Sequence, residues 1–257
     1  MKIIYPTSVQ SVSASTENAN FPAVNLIDEH PKKLWKATGQ TATVSISSLL
    51  STGLALFKTN AISMSITVAY GQTITWDTAD AISWDTADSI SWDDSEVDDP
   101  PVVYELSGED EGAGWSEWDE LMGSHTIVIS LDAGAGNIVQ AGYVAVGTVE
   151  GFENPAYGIN EGLVDYSVVK ELNNGAFYIR KRDVVRTFSG SLSLSREPDF
   201  YGFMLDILRT NGQTPLAVMM VDDDSWEWIV YGRFTDAEGP HVFRNRSVIN
   251  FNFLEVL

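Results

Sequence analysis

The sequence predicts an all-β protein built mainly from antiparallel strands, and three features of its 257 residues lead to that prediction. Short runs such as TATVSIS, HTIVISL and VINFNF alternate apolar and polar residues, which is typical of strands with one buried face. Gly, Pro, Asn and Asp interrupt these runs at short intervals, as turns between strands require. Helical spacing of apolar residues is scarce. We therefore expect packed β-sheets rather than a helical bundle.

One short helix is predicted, in the segment SREPDFYGFMLDILRTNG at 195–212. Ser195 can cap its first turn, Pro198 suits that turn, and Gly212 can end it. The apolar stripe of this helix consists of Phe200, Phe203, Met204 and Ile207. Such a stripe favours burial in a core over cofactor binding.

Two domains are predicted, at 1–150 and 151–257, because the chain length fits two small domains. The boundary falls near Gly151, where the segment EGFENPAYGINEG breaks the strand pattern with Pro and Gly. In the first domain we expect an acidic insertion at about 72–120, since strands that can complete the domain resume after it.

The negative charge is concentrated in the middle of the chain. The net charge is −21, and the 111 residues from Thr59 to Val169 contain 21 Asp or Glu and no Lys or Arg. Nucleic acid is not expected as a partner, because phosphate binding needs clustered cations. Membrane insertion is not expected either, since no stretch approaches the roughly 18 apolar residues of a membrane span. The chain has no cysteine, which removes disulfides, thiolate metal sites and thiol nucleophiles.

Three near-copies of an eight-residue unit form the segment ITWDTADAISWDTADSISWDD at 74–94, which we call the Trp–Asp repeat. Eight is a whole number of strand repeats, so the Ile and Trp of each copy share one face of an extended chain. The repeat contains the tryptophans Trp76, Trp84 and Trp92, each followed by an aspartate, Asp77, Asp85 and Asp93. We predict short strands joined by Asp-rich turns that project from the first domain.

The sequence leaves three functions open for the Trp–Asp repeat. The indoles can pack on the parent domain or on a neighbouring subunit, since two or three strands alone are marginal in water. A row of indoles with neighbouring carboxylates also suits carbohydrate binding, in which rings stack on sugar faces and carboxylates accept hydroxyl hydrogens. The aspartates could instead bind calcium, although their spacing matches no standard calcium loop. No metal site is assigned, and no cofactor other than this structural calcium is considered.

A single cationic cluster stands out, formed by Arg180, Lys181, Arg182 and Arg186. In one continuous strand Arg180, Arg182 and Arg186 would point to the same face. Two interpretations follow. The cations either pair locally with residues such as Asp183 or Glu171, or they meet an acidic surface of an adjacent subunit and set its register by charge complementarity.

No catalytic residues are predicted, and the chain is not expected to be an enzyme. The histidines are His30, His125 and His241, and none lies near a Gly-x-Ser-x-Gly turn. His125, at the start of a predicted strand, is expected at the surface. No Walker-type phosphate loop or dinucleotide fingerprint occurs.

Glycosidases are the enzyme class that the sequence excludes least, because they need only two carboxylates at a suitable separation. With 36 acidic residues, such pairs arise by chance. The best candidates are Glu117, Asp119 and Glu120, beside Trp115 and Trp118.

The stretch NANFPAVNLIDEHPKKLWKATG resembles the opening of galactose-binding-like, discoidin-type β-sandwiches. That family often reads Ala-x-Asn-Leu-x-Asp and then Trp-x-Ala, and TNAISMSITV is similar to one of its later strands. The matching residues are Ala23, Asn25, Leu26, Asp28, Trp35 and Ala37. The resemblance covers roughly residues 8–70 and about 121–148, and it implies a galactose-binding-like first domain. The family often holds a structural calcium near its first loops, where Asp28 is the matching residue.

The order of segments in the second half is similar to that of minor tail or tail-tip (baseplate) proteins of long-tailed bacteriophages. In those proteins a galactose-binding-like domain precedes a β-rich domain with a Gly-x-x-Tyr-x-x-x-Arg region. The matching positions are Gly175, Tyr178, Arg182, Arg186 and Gly232. The Trp–Asp repeat is not part of that family's pattern.

This resemblance implies a structural subunit of a phage tail tip or baseplate, in which identical copies form a ring that joins the tail tube to tip proteins or fibres. We therefore expect a virion component that is made in the host bacterial cytoplasm. Its expected partners are itself and other tail proteins. The alternative is a carbohydrate-binding adhesin that recognises a host surface glycan during attachment.

Overall fold

A computed structural model of the protein shows a mainly antiparallel β architecture, which confirms the predicted fold class. The structure describes residues 1–6, 9–28, 30, 32–70, 102–105, 112–118, 124–152, 155–171, 176–195, 209, 214–221, 226–238 and 246–256. Within these ranges no helix has the length and apolar character that crossing a membrane requires. The helix predicted at 195–212 falls almost entirely outside the described residues.

The chain divides into two compact units. We call Ile4–Glu150 the sandwich unit, and Met1–Ile3 together with Gly151–Leu257 the hairpin unit. Strands bordering or within the sandwich unit are β1 (Lys2–Pro6), β2 (Val9–Ala14), β3 (Trp35–Lys36), β4 (Thr41–Leu49), β5 (Gly53–Thr59), β6 (Ser63–Tyr70), β7 (Val102–Glu105), β8 (Gly112–Glu117), β9 (Ser124–Asp132), β10 (Gln140–Ala141) and β11 (Tyr143–Gly151).

The sandwich unit contains two main sheets. One has the order β2-β4-β9-β6-β7, with every neighbouring pair antiparallel. In the other, β5 lies between β11 and β8, and β1 is the next neighbour of β11. The short strands β3 and β10 form a separate antiparallel pair.

Apolar side chains from both sheets form one core in the sandwich unit. In β4, Ala42, Val44 and Ile46 are buried and the residues between them are less so, which is the alternation that TATVSIS predicts. The strand β5 is buried along almost its whole length, as its run GLALFKT suggests. These side chains are what hold the two sheets together, since burial of apolar area is the main favourable term in folding.

The acidic insertion begins and ends at one edge of the sheet β2-β4-β9-β6-β7 of the sandwich unit. The strands β6 and β7 pair with each other, from Ser63 opposite Glu105 to Ile66 opposite Val102. The insertion was predicted to extend to about residue 120, but β7 and β8 already belong to the sheets of the sandwich. That end of the prediction is therefore too late. The strand β8 reads GAGWSE. The sequence does not indicate a strand there, because glycine is depleted in strands.

The hairpin unit has a five-stranded antiparallel sheet with the order β12-β15-β18-β17-β16. A separate two-stranded sheet, β13-β14, extends between β12 and β15 in the chain. The strands are β12 (Ala156–Asp165), β13 (Val168–Glu171), β14 (Phe177–Arg180), β15 (Val184–Ser195), β16 (Leu216–Met219), β17 (Ile229–Glu238) and β18 (Arg246–Glu255). A 3-10 helix, Trp226–Trp228, precedes β17.

One face of the five-stranded sheet is apolar and buried. In β18, Ile249, Phe251 and Phe253 are buried while Asn250 and Asn252 are exposed, as the alternation in VINFNF predicts. Gly232 of β17 lies against β18 so closely that a Cβ atom there would overlap the Leu254 carbonyl oxygen. This position of the phage-tail resemblance therefore serves close strand packing.

Candidate subunit-interaction surface

The two-stranded sheet β13-β14, which we call the exposed hairpin, is the least covered regular structure in the described chain. Its four pairs are Val168 with Arg180, Val169 with Ile179, Lys170 with Tyr178 and Glu171 with Phe177. The fractional exposure is 59% for Val169, 64% for Phe177, 55% for Tyr178 and 57% for Ile179. Four large apolar or aromatic side chains thus face solvent on eight paired residues.

The pairing register assigns these side chains to two faces, because directly opposed residues and residues two apart lie on the same side of a sheet. The first, the apolar face, carries Val169, Phe177 and Ile179 together with Glu171. The second, the basic face, carries Lys170, Arg180 and Tyr178 together with Val168. Except for the half-buried Val168, the residues on both faces are exposed.

A short hydrogen-bond chain fixes the base of the exposed hairpin to β12. The backbone N–H of Ser167 donates to Asp165 Oδ1 at 2.7 Å, and the backbone N–H of Arg182 donates to Ser167 Oγ at 3.0 Å. Hydrogen bonds from the Ser167 hydroxyl and then from its backbone N–H hold the pKa of Asp165 below its usual value. The hairpin is anchored at its base while its strands remain uncovered.

The predicted basic cluster divides into two parts. Arg180, Lys181 and Arg182 lie at the end of β14 and just after it, are exposed, and make no ion pair with described residues. Arg186 belongs to β15 instead, so Arg180, Arg182 and Arg186 do not lie on one continuous strand. The chain leaves strand geometry between the two, at 181–183.

Arg186 forms a local ion-pair network of the kind that one interpretation of the cluster anticipates, but with different partners. Its Nη2 lies 3.0 Å from Glu255 Oε1, and its Nε is 3.2 Å from Glu255 Oε2. Its Nη1 donates to the Glu227 carbonyl oxygen at 3.0 Å and lies 3.8 Å from Glu161 Oε1. The Arg186 guanidinium also lies over the Phe188 ring. All of these contacts of Arg186 are with residues of its own unit.

The Trp–Asp repeat lies outside the described residues, and so do its six predicted contact residues Trp76, Trp84, Trp92, Asp77, Asp85 and Asp93. The same applies to Gly175 of the phage-tail resemblance. The position where the repeat leaves and rejoins the fold is nevertheless fixed by the β6–β7 pairing.

The residues that carry the galactose-binding-like resemblance are structural in the sandwich unit. Leu26 and Trp35 are fully buried in its core, and Ala23 and Ala37 lie in the same cluster. The Asn25 side chain donates to the Leu34 carbonyl oxygen at 2.8 Å, which ties the 3-10 helix Ala23–Ile27 to the segment before β3. The motif therefore marks how the chain enters the sandwich.

Asp28 closes the same loop through its carboxylate. Lys33 Nζ lies 2.5 Å from its Oδ2, and the backbone N–H of His30 donates to its Oδ1 at 3.0 Å. The Lys33 hydrogen bond first, and the His30 backbone bond second, hold the pKa of Asp28 below its usual value. In the described part of the chain no three His, Asp or Glu side chains gather as a metal site would need.

His125 is buried, so its expected surface position is wrong. Its Nε2 lies 2.5 Å from Ser51 Oγ, and both residues are essentially inaccessible to solvent. The pair satisfies two polar groups inside the sandwich unit, as buried polar groups require. The sequence gives no local signal for it, because the partners are 74 residues apart.

The carboxylates considered for glycoside hydrolysis are only partly described. Glu117 Oε1 accepts a hydrogen bond from the Trp115 indole N–H at 2.6 Å, and Trp118 donates to the Ser51 carbonyl oxygen at 2.7 Å. Asp119 and Glu120 lie outside the described residues.

A polar groove of about 360 Å³ crosses the outer face of the five-stranded sheet in the hairpin unit. Asn160, Ser189 and Asn252 lie on one row of paired residues, and Ser191 and Asn250 lie on the next. Amides and hydroxyls of this kind can both donate and accept hydrogen bonds.

Comparisons with known proteins found only distant similarity. No protein-family profile matches it, and no curated protein matches it. One similar solved structure is chitosan-binding module 1 of a chitosanase/glucanase from Paenibacillus sp. IK-5, at 14% identity and a TM-score of 0.38, covering 56% of this chain and 98% of that one.

Two further solved structures are similar at the same level. Reduced XRCC1 bound to the DNA polymerase β catalytic domain has 14% identity and a TM-score of 0.36, covering 57% of this chain and 98% of that one. The module CpGH89CBM32-5 from Clostridium perfringens, in complex with GalNAc-β-1,3-galactose, has 12% identity and a TM-score of 0.33, covering 55% and 99%. At these TM-scores the likeness is too distant to indicate a shared ligand.

Proposed function

We propose that the chain is a non-enzymatic structural subunit of a bacteriophage tail tip, which assembles into a ring with identical copies through the exposed hairpin. The observation that carries the proposal is the uncovered apolar face of that hairpin, formed by Val169, Phe177 and Ile179.

The apolar face needs a partner for physical reasons. A two-stranded sheet without a covering layer is at best marginally stable in water. Unpaired strand edges also invite pairing with another chain, and proteins usually protect or bury such edges. Here the edges remain open in the described chain, and the exposed side chains are large. A second protein surface that covers them would supply the missing layer.

The phage-tail part of the proposal rests on sequence resemblance. Tyr178 and Arg182, two positions of the Gly-x-x-Tyr-x-x-x-Arg region, belong to or adjoin the exposed hairpin. Their exposure agrees with a role of this region in assembly. A subunit of this kind is made in the host cytoplasm and becomes part of the virion, next to tube, hub or fibre proteins.

The proposal is tested by removing the apolar face. In the purified full-length protein, the double variant Phe177→Asp with Ile179→Asp should lose rings in electron micrographs and sediment as a monomer. The matched control is Ile138→Asp, which alters an exposed isoleucine of the sandwich unit. This control should assemble like the wild type. Antibody labelling of phage particles should place the chain at the tail tip.

Two outcomes would contradict the proposal. One is a wild-type protein that remains monomeric up to its solubility limit. The other is a virion, grown from a phage that encodes the chain, in which the antibody finds no copy of it.

A second candidate function is carbohydrate binding, and the polar groove of the hairpin unit favours it. Its asparagine and serine side chains, including Asn160, Asn250 and Asn252, offer the hydrogen-bonding groups that sugar hydroxyls need. Glycan-array binding that is lost in Asn250→Ala with Asn252→Ala, while ring formation persists, would establish this function separately. Absence of glycan binding by the wild type would remove it.

A further inference from the structure

We propose that the exposed hairpin of one copy adds its strand β14 to the open edge of β12 in the five-stranded sheet of the next copy's hairpin unit. This inference rests on the proposed assembly function and names the surface that the hairpin meets. Strand addition to an open sheet edge is an established mode of recognition, in which backbone hydrogen bonds give affinity and alternate side chains give specificity.

The receiving edge is a regular stretch of strand that has no neighbour on its outer side. The strand β12 is the last of its sheet, and among the described strands only β15 pairs with it. A bulge lies between Ala156 and Asn160, but residues 160–165 pair with β15 without interruption. Such a row of open backbone N–H and C=O groups is a template for a strand of another chain.

The side chains along this edge also lack cover. Leu163 leaves 71% of its surface in solvent, the largest fraction among the exposed large apolar side chains of the described residues. The pairing with β15 puts Glu161, Leu163 and Asp165 on one face of β12, and all three are exposed. The edge therefore presents an apolar side chain between two carboxylates, with no cation in the strand.

The basic face of the hairpin carries the complementary residues. Tyr178 and Arg180 lie two residues apart on β14, and both are exposed. Antiparallel addition with Arg180 opposite Glu161 puts Tyr178 opposite Leu163, because the two strands run in opposite directions. Glu161 is available for this pair, since its contact with Arg186 Nη1 is 3.8 Å long and its side chain is 45% exposed. Opposite charges on directly opposed residues of neighbouring strands attract.

The same register suits the apolar face of the hairpin. It puts Phe177 opposite Val164 and Ile179 opposite Gly162, on the other side of the joined sheet. Gly162 has no side chain, so it leaves room for the Ile179 side chain. One register thus pairs charge with charge on one side of the sheet and covers apolar surface on both sides.

The added strand has to come from another copy. The hairpin follows β12 after residues 166–167, and the backbone N–H of Arg182, just after β14, donates to Ser167 Oγ at 3.0 Å. This bond holds the base of β14 beside the end of β12, so β14 cannot reach the outer edge of its own β12. Hairpin and β12 edge are different surfaces, and such heterologous contacts close into rings when the rotation between copies allows it.

A charge swap in the full-length chain tests the pairing. Arg180→Glu alone and Glu161→Lys alone should each self-associate at least about tenfold more weakly than the wild type in sedimentation velocity, because opposed charges become alike. The double variant, Arg180→Glu with Glu161→Lys, should regain association, since the two charges are exchanged. The matched control is Glu238→Lys, which reverses an exposed carboxylate on another strand of the same sheet and should leave association unchanged.

Cysteine cross-linking tests the register independently, because the chain has no cysteine of its own. The variant with Leu163→Cys and Tyr178→Cys should form disulfide-linked multimers under mild oxidation, since the Cβ atoms of directly opposed residues lie about 4.5–5.5 Å apart. The control pairs Leu163→Cys with Ile138→Cys, at an exposed isoleucine of the sandwich unit, and should form no such multimers.

Circular dichroism and melting temperature check that each variant is folded. If Glu161→Lys disrupts folding through its closeness to Arg186, Glu161→Gln replaces it. This neutral variant should also weaken association and should reduce its sensitivity to salt.

The outcomes separate this inference from the proposed function. Association that is lost in Phe177→Asp with Ile179→Asp but survives Glu161→Lys would overturn the pairing with β12 and leave ring assembly intact. A folded charge-swap double variant that stays monomeric, or cross-linking no stronger than in the cysteine control, would also overturn the pairing. A monomeric wild type would overturn both the pairing and the proposed function.

Discussion

The core of the sandwich unit and the exposed hairpin contain the same types of residue, but the core buries them and the hairpin exposes them to solvent. Trp35 is fully buried among both sheets of the sandwich, whereas Phe177 leaves 64% of its surface in solvent. Both belong to short β-strands. The difference is whether the same chain supplies the opposing layer. A strand pattern therefore predicts that a face will be covered, but not by which molecule.

The comparison predicts that substitutions in the sandwich act on folding and substitutions in the hairpin act on association. The clearest test is Gly147→Ala in β11, where a Cβ atom would overlap the Tyr5 carbonyl oxygen. We expect a loss of about 4–5 kcal/mol in the free energy of unfolding, or failure to fold, because neither backbone can move without breaking its strand. Urea denaturation measures this loss.

The control for that experiment is Gly151→Ala at the end of the same strand, where an added Cβ meets nothing within 4 Å. It should change stability by less than about 0.5 kcal/mol. Equal stability of the two variants would contradict the close approach of β1 and β11.

Truncation of matched aromatic residues should produce the next largest effect. Trp35→Ala empties a fully buried site and should cost about 3–5 kcal/mol in the free energy of unfolding. Phe177→Ala removes an exposed ring and should cost less than about 0.5 kcal/mol while weakening self-association. Denaturation and sedimentation on the same samples separate the two. A hairpin variant as destabilised as Trp35→Ala would show that the ring is covered within its own chain.

The arginines of the predicted basic cluster should also differ. Arg186→Lys loses the forked contact with Glu255 and should cost about 1–2 kcal/mol, since one ammonium cannot replace a guanidinium that makes several hydrogen bonds. Arg180→Lys retains the charge at an exposed position and should leave stability unchanged. Thermal unfolding of both variants measures the contrast. Similar melting temperatures of the two variants would show that the contacts of Arg186 with Glu255 contribute no more to stability than the exposed Arg180 does.

A smaller effect concerns Asp28 and pH. Because its pKa is lowered in the folded state, Asp28 stabilises the fold above its unfolded pKa, near the ordinary 3.8, and this contribution is lost as the pH falls through the folded value. Lys33→Met removes the first cause of the shift, so the Asp28 carboxyl should titrate at higher pH in carbon NMR. An unchanged midpoint would show that Lys33 does not hold this carboxylate in solution.

The smallest effect is expected from calcium. If the aspartates of the Trp–Asp repeat are only solvated, calcium should change the melting temperature little, because a ligand raises stability when it binds the native state. A large calcium-dependent rise that disappears in Asp77→Asn with Asp85→Asn and Asp93→Asn would assign the repeat to metal binding instead.

Alternation along single strands made the fold class predictable from the sequence. The pattern in β4 and β18 is local, and each strand buries the face that its sequence indicates. The residues of the galactose-binding-like resemblance, such as Trp35 and Leu26, could likewise be singled out, although not their role in the core.

What the sequence did not predict depends on partners far away in the chain. His125 is buried because Ser51, 74 residues earlier, satisfies its ring nitrogen. Arg186 is withdrawn from the basic cluster by Glu255, 69 residues later. The exposure of the hairpin could not be predicted either, because the sequence Phe-Tyr-Ile-Arg is also typical of a half-buried strand. Local patterns specify which side chains need partners, and the topology decides where those partners are.

The β6–β7 pairing has a consequence for how this protein can vary during evolution. Because the acidic segment starts and finishes at one sheet edge, gaining or losing an eight-residue copy by recombination leaves the ends of the connection in place. Counted simply as loop closure, one copy more or less changes the conformational cost by about 0.2 kcal/mol. A change in the number of copies therefore has little effect on the stability of the sandwich unit.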